Sequence, residues 1–356
     1  MNRNEKTALI RENVPSLLYW YRANARVLPW RSDPTPYHVW ISEIMLQQTR
    51  VEAVKPYYLA FIGELPDIPS LAAVDDGRLM KKWEGLGYYS RARNLKKAAV
   101  AVTQTMGGSL PADYERLLSL PGIGEYTAGA ISSIAFGLPK PAVDGNVLRV
   151  LTRLLADERE VTDPAVKKDL TALLEEVYLA FPGDSSALTQ SLMELGATVC
   201  LPNGVPKCED CPWADACEAR KAGRAEEFPF KAPKKPRRIE ERTVLLLRHG
   251  GKYAVRKRPE RGLLAGLYEF PSLDGHLNEE EVRRAAGAAF GEIASVTPLP
   301  DAIHIFTHVE WKMRGYLIDC GTASAELIWA TPEEIKNEYA VASAFRTYKN
   351  TVLQGE

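Results

Sequence analysis

The sequence predicts a multidomain chain: a nearly all-α region over residues 1–229, a basic linker over 230–240, and an α+β region over 241–356. Three observations predict it. Apolar residues recur at helical spacing to about residue 198. Four of the five cysteines then crowd into residues 200–217. From residue 241 the apolar period falls to two, with glycine turns between the runs. At 356 residues the chain is long enough for two full cores.

Composition is that of a globular protein, with 46% hydrophobic and 26% charged residues. Lys+Arg number 45 against Asp+Glu 46, so any nucleic-acid footprint must be local. No apolar run reaches membrane-spanning length, and residues 1–13 carry no apolar signal segment. The expectation is a soluble monomer of the cytoplasm, with no membrane partner.

Residues 8–25 predict an amphipathic helix interrupted by Pro15, with Leu17, Leu18, Trp20 and Tyr21 toward the core. Leu28-Pro29-Trp30-Arg31 follows as a loop, in which Trp30 is either a core plug or a flat surface for a base. Residues 37–51 read as a helix with Val39, Trp40, Ile44 and Met45 on one face. Glu43, Gln47 and Arg50 fall on another, which is either a solvated stripe or a carboxylate facing a cleft. Gln48 and Thr49 carry amide and hydroxyl groups suited to base edges.

Residues 71–105 predict two helices broken by Trp83-Glu84-Gly85-Leu86-Gly87-Tyr88-Tyr89. Its glycines suggest a tip carrying Leu86 and Tyr88 outward as wedges, with Arg91 and Arg93 available to phosphates. Further helices are expected near 112–119, 146–156, 164–180 and 185–198.

Pro121-Gly122-Ile123-Gly124 joins two apolar-periodic runs, a helix–hairpin–helix pattern. Gly122 and Gly124 let the backbone come close to a partner, and the next helix begins with free N–H groups suited to a phosphate. The bland reading is a turn alone. Asp144, in Val143-Asp144-Gly145-Asn146, precedes another helix, where it is either an N-cap or a catalytic carboxylate.

The cysteines run Cys200-x7-Cys208-x2-Cys211-x5-Cys217. Four thiolates at this density hold a metal, as one tetrahedral zinc or a four-iron cluster, and the spacing does not separate the two. Cys320 stands apart as a small core residue. In the C-terminal region a hairpin is expected across residues 249–252. Helices follow at 278–290, 332–337 and 343–353, with strands near 302–319 and 326–330.

Taken together, the hairpin, Tyr126-Thr127-Ala128, the Asp144 segment and the cysteines resemble the endonuclease III superfamily of base-excision DNA glycosylases. The segments at 28–31, 42–49 and 83–89, with the appended α+β domain, are similar to its MutY-type adenine glycosylase branch. The resemblance implies one four-iron, four-sulfur cluster on Cys200, Cys208, Cys211 and Cys217. It implies excision of adenine paired with 8-oxoguanine or guanine in duplex DNA, and a Nudix-like C-terminal domain that recognises the oxidised base. The Nudix metal box is incomplete after Gly262, so no pyrophosphatase activity is expected. Tyr126 stands where strand-cleaving members carry a nucleophilic lysine, so a monofunctional glycosylase is expected.

Adenine release by hydrolysis needs a proton for the leaving base and stabilisation of a cationic sugar, the logic of two unlike carboxylates. Glu43, in an apolar helix, is expected to be held neutral as the acid. Asp144, at a helix start, is expected to be the anion. Asn146 would orient Asp144 or water, and Tyr126 would shape the sugar site. Because the base must leave the duplex, Gly122 and Gly124 would grip the strand, with Gln48, Thr49, Leu86 and Tyr88 working on the stack. By resemblance Trp30, Arg31 and Gln190 line the adenine pocket. Phe306-Thr307-His308 matches a Phe-Ser-His loop that meets 8-oxoguanine, with threonine in place of serine.

Two departures stand out: the first cysteine gap is one residue longer than the family pattern, and Glu125 places a negative charge beside the expected phosphate. Competing readings are a pyrimidine-directed glycosylase, a non-catalytic DNA-binding protein with a structural metal, and a nucleotide-diphosphate hydrolase.

Overall fold

The computed structural model describes residues 1–233 and 236–354; Lys234 and Lys235 of the expected linker lie outside them. The chain parts into two units. One comprises Met1–Ala73 with Asn94–Pro233, the other Val74–Arg93 with Lys234–Glu356.

The first unit is helical. It holds α1 (Arg3–Asn24), α2 (Pro29–Ser32), α3 (Pro36–Leu46), α4 (Val51–Glu64) and α5 (Ile68–Ala73). After α6 (Asp76–Lys82), which belongs to the other unit, α7 (Ser90–Thr105) returns the chain. Then come α8 (Tyr114–Leu118), α9 (Glu125–Ala130), a π-helical turn at Ile131–Ala135, α10 (Gly145–Leu155), α11 (Pro164–Leu179), α12 (Ser185–Thr198) and α13 (Glu218–Lys221).

Its main core gathers on α10, where every residue from Val147 to Leu155 is buried. Leu17 and Leu18 of α1, Leu170 and Leu174 of α11, and Leu188 and Leu192 of α12 pack there. Each such leucine contributes about 1.5–3 kcal/mol by leaving water.

Three helix expectations need correction. Pro15 does not interrupt α1; it faces solvent, so the carbonyl it leaves unbonded can take water. The helix expected over 37–51 stops at Leu46, and Arg50 already caps α4, so Glu43, Gln47 and Arg50 share no helical face. The break falls at Gln48, whose φ of 57° is left-handed. α4 itself escaped the reading, because Pro56 and its mixed apolar spacing blur the period.

The second unit is a mixed sheet with helices. Its strands are β1 (Arg238–His249), β2 (Lys252–Lys257), β3 (Tyr268–Glu269), β4 (Ser272–Asp274), β5 (Ile293–Ile305), β6 (Val309–Cys320) and β7 (Ile328–Ala330). The order is β3-β2-β1-β6-β5, with β4 on β1 and β7 on β2. Only the β1–β6 ladder among these is parallel, with Glu240 opposite Trp311 and Leu245 opposite Tyr316.

Residues 243–247 are buried in succession, as a strand covered on both faces requires. α14 (Glu279–Phe290) covers one face, with Val282 and Ala286 against Leu245, Leu247 and Ile318. α15 (Pro332–Asn337) and α16 (Arg346–Gln354) complete the unit. β1 begins at Arg238, inside the stretch expected to be linker. The strand expected over 302–319 is two, β5 and β6, joined at residues 306–308.

One glycine decides how closely the site is built. A Cβ on Gly129 would lie 2.3 Å from the carbonyl oxygen of Pro141, in the segment that leads to Asp144. Backbone cannot yield as a side-chain tip does. Gly129→Ala is therefore expected to destabilise the protein by about 1–3 kcal/mol, which a lowered thermal midpoint would register.

Candidate active site

Three segments converge in the helical unit. Glu43 lies near the end of α3, between Ser42 and Ile44 in a run buried from Val39 to Met45. Tyr126 opens α9, and Asp144 caps α10. The Tyr126 hydroxyl donates to Glu43 Oε2 at 2.5 Å. Glu43 is only 6% exposed. Burial pushes its carboxyl up to about 7; the Tyr126 bond and Arg31 oppose this, and the negative charge of Asp144 adds to it. Burial, then Glu43 and Asp144, hold the Tyr126 hydroxyl well above the usual tyrosine range. The two carboxylates expected to share a site thus act on one another.

Asp144 is more than an ordinary cap. Its Oδ1 accepts the backbone N–H of Asn146 at 2.9 Å and of Val147 at 2.8 Å, and its Oδ2 accepts Asn146 Nδ2 at 2.7 Å. Asn146 Oδ1 in turn accepts from Arg149 at 2.9 Å. Asn146 therefore orients Asp144 directly.

Of the residues expected to form the base pocket, Arg31 and Gln190 are linked through Tyr21. Trp30 is buried and packs T-shaped on Tyr58, ring centroids 5.4 Å apart, the core-plug alternative. Arg31 donates to Glu194 Oε2 at 2.7 Å and lies 5.7 Å from the Tyr21 ring centroid. The Tyr21 hydroxyl donates to Gln190 Oε1 at 3.1 Å. Glu194 and Tyr21 were missed. Glu194 is fully buried and also bound by Arg26; a lone acid within Leu192-Met193-Glu194-Leu195 was the available signal.

At the hairpin, Gly122 has φ 76°, and a Cβ there would lie 2.6 Å from Asn94 Cβ. Gly124 caps α9 with extended backbone and stays exposed. Glu125 is exposed and pairs with Lys167, 3.3 Å away. Gln48 is exposed and Thr49 half-buried.

In the other unit, the tip at 83–89 corrects two expectations. Leu86 is buried, 5% exposed, and is no outward wedge. Gly85 at φ 104° and Gly87 at φ 70° reverse the backbone so that Leu86 turns inward while Tyr88, at φ 46°, is left 49% exposed. Arg91 is spent internally on the Leu86 and Gly87 carbonyls at 2.9 and 3.0 Å, and Arg93 donates to the Ala265 carbonyl at 2.7 Å. The Tyr88 hydroxyl lies 3.2 Å from Thr307 Oγ1. Phe306 is half-buried, and the Thr307 and His308 side chains are exposed.

Cys200, Cys208, Cys211 and Cys217 line one pocket with Val150, Leu154 and other apolar side chains. Arg153 donates to Cys200 Sγ at 3.2 Å. Burial pushes the Cys211 thiol up to about 12, so a thiolate there calls for a cationic partner. Among the described residues no three ligating side chains close on a single point.

This fold and site define a helix–hairpin–helix base-excision DNA glycosylase. Residues 41–176 match the family of HhH-GPD superfamily base excision DNA repair proteins, and residues 243–351 match the NUDIX domain. The chain is 34% identical to the adenine DNA glycosylase of Homo sapiens, over 94% of this chain and 73% of that one. It is 36% identical to that of Buchnera aphidicola, over 74% of each. A thermostable thymine-DNA glycosylase structure is 28% identical with a TM-score of 0.54, covering 62% of this chain and 98% of its own. An endonuclease III–DNA complex, 23% identical with a TM-score of 0.51 over 63% of this chain and 99% of its own, shares the fold.

The chain belongs to the adenine DNA glycosylase family, enzymes of base excision repair that act on DNA. The reading of a non-catalytic DNA-binding protein falls with that membership.

Because the Tyr126 bond favours the ionised form of Glu43, Tyr126→Phe should raise the Glu43 midpoint above about 7 by roughly one pH unit. Infrared titration of the carboxyl band absent in Glu43→Gln would check this; a fall would remove the assignment.

Proposed function

We propose that the protein is a monofunctional glycosylase that excises adenine opposite 8-oxoguanine, or guanine, from duplex DNA, acting as a monomer. One observation carries the chemistry: a buried carboxyl raised to about 7 is bonded to Tyr126 and set against a second carboxylate. The adenine nucleotide is flipped from the stack into the pocket walled by Trp30, Arg31 and Gln190. Glu43 delivers its proton to N7 of adenine as the glycosidic bond breaks. Asp144, gripped by three N–H donors, stabilises the positive sugar. Water completes the hydrolysis, with Asn146 fixing Asp144 and Tyr126 bounding the sugar site. Tyr126 offers no amine, so no Schiff base forms and the strand stays intact.

Exposed backbone at Gly122 and Gly124 suits the phosphates on either side of the flipped nucleotide. Gln48, Thr49 and Tyr88 serve the stack. The turn Phe306-Thr307-His308, tied to Tyr88 through Thr307, meets the base opposite. Thr307 keeps the hydroxyl that this bond requires.

The four cysteines would hold one four-iron, four-sulfur cluster. All four cysteines line one pocket with apolar walls, and the chain belongs to a glycosylase family of the fold that the resemblance links to such a cluster. When bound, such a cluster fixes the loop over residues 200–217 against α10. Arg153 supplies a donor to one of its thiolates.

Glu43→Gln and Asp144→Asn are each expected to slow single-turnover adenine release from an A:8-oxoguanine duplex by about a thousandfold or more, with duplex binding retained. Near-normal release in either variant would refute its role. The purified protein is expected to be yellow-brown, with iron and labile sulfide in equal amounts. A colourless preparation with stoichiometric zinc would overturn the cluster.

A further inference from the structure

The turn over residues 306–308 holds only three residues, and two of their side chains are exposed. 8-Oxoguanine differs from guanine at one carbonyl oxygen and one N–H. A turn that separates them must be held to a fraction of an ångström. What holds it lies beneath, on β1 and β6.

The Phe306 ring sits edge-on to two others, His304 at 4.5 Å and Trp311 at 5.0 Å. Trp311 is 1% exposed and cannot shift without opening the core. His304, Trp311 and Glu240 are partners across three adjacent strands. The Trp311 indole N–H donates to Glu240 Oε2 at 2.8 Å. The same oxygen accepts from Arg242 at 3.0 Å. The Arg242 guanidinium carbon lies 4.1 Å from the Trp311 ring centroid, close enough for a strong cation–π contact. Glu240 thus holds the cation and the ring it covers.

The backbone of the turn is held separately. Phe306 N–H donates to the Val309 carbonyl at 2.8 Å. The Phe306 carbonyl accepts Arg237 Nε at 3.2 Å, and the His308 carbonyl accepts the Arg238 N–H at 3.1 Å. Arg237, just before β1, and Arg238, its first residue, therefore take up both outer carbonyls of the turn.

We propose that Arg237, Glu240, Arg242 and Trp311 form a platform that positions the Phe306-Thr307-His308 turn and thereby sets discrimination between 8-oxoguanine and guanine opposite the target adenine. These are positioning residues; none is assigned contact with the nucleic acid. The proposal rests on the reading of this turn as the contact to the opposite base.

The test uses the full chain as purified and duplexes with a non-cleavable adenine analogue opposite 8-oxoguanine or guanine. The readout is the ratio of the two dissociation constants, with the adenine-release rate measured separately at saturating enzyme. Arg242→Met is expected to lower the ratio about fivefold and leave the saturating rate unchanged. Arg242→Lys, which keeps a cation over the ring, should restore most of the ratio. If Arg242→Met lowers the thermal midpoint sharply, Arg237→Met replaces it, since Arg237 is exposed; the same fall is expected.

A double variant, Phe306→Ala with His308→Ala, separates the two levels. A ratio that falls in this double variant but not in the platform variants overturns the platform. A ratio that is unmoved in the double variant overturns the reading of the turn, and the platform with it. A fall in saturating rate that matches the fall in ratio, unrescued by lysine, would mark a merely structural effect and also overturn the proposal.

Discussion

The hydrogen bond from Tyr126 to Glu43 is the constraint on which the helical unit depends. An isolated carboxylate is expensive to bury, and a neutral carboxyl without a partner is still costly. Glu43 lies in a run buried from Val39 to Met45, so it needs a donor that arrives from elsewhere. Tyr126 supplies it from the first turn of α9. That places a demand on the backbone. α9 must approach the segment before α10 closely enough that Gly129 has no room for a Cβ. The helix then widens into a π turn at Ile131–Ala135, of the kind that often accompanies functional sites. There Ser133 bonds Thr189 at 2.8 Å, and Thr189 meets Tyr178 at 2.7 Å. A polar thread through the core thus fixes α9 against α12 and α11.

Glu43 was legible because it breaks a local rule, an acid inside an apolar helix. Asp144 breaks none: it caps α10 as aspartate commonly does, and the pattern Val143-Asp144-Gly145-Asn146 singled it out. Arg31, Gln190 and Trp30 came from resemblance; Trp30 packs on Tyr58, while the other two are linked by Tyr21 and Glu194. Those two were hidden for opposite reasons. Tyr21 looked like an ordinary core aromatic, and Glu194 was one acid among forty-six Asp and Glu. Its burial follows from α12 packing on α1 and α10, which no local period reveals.

The errors share a cause. Leu86, Arg91 and the supposed face of Glu43, Gln47 and Arg50 were all placed by assuming that a local pattern persists. In each case a left-handed residue reverses the chain: Gly85 and Gly87 at the tip, Gln48 after α3. A glycine announces such freedom but not the direction it will be used in, so Leu86 and Tyr88 could have been exchanged. Gln48 gives no warning at all. The sheet was legible in its long strands and not in β3 and β4, which are two and three residues long. Only the end of β5, from residue 302, was read, because Pro298 and Pro300 and a register shift between Leu299 and Ala302 interrupt its alternation.

Among the described residues four non-glycine positions have positive φ: Gln48, Tyr88, Ala156 and Leu264. Such a conformation costs about 1 kcal/mol or more unless the surroundings return it. Ala156 has a local account, since it ends α10 and its N–H bonds back to the helix. Gln48 and Tyr88 are different. Gln48 is exposed and Tyr88 half-exposed, so tight packing does not force either into place. What both gain is direction: a left-handed residue lifts its side chain away from the helix beside it. On the proposed function these are two of the side chains that must stand out to enter a base stack. The strain is then the local cost of projecting them.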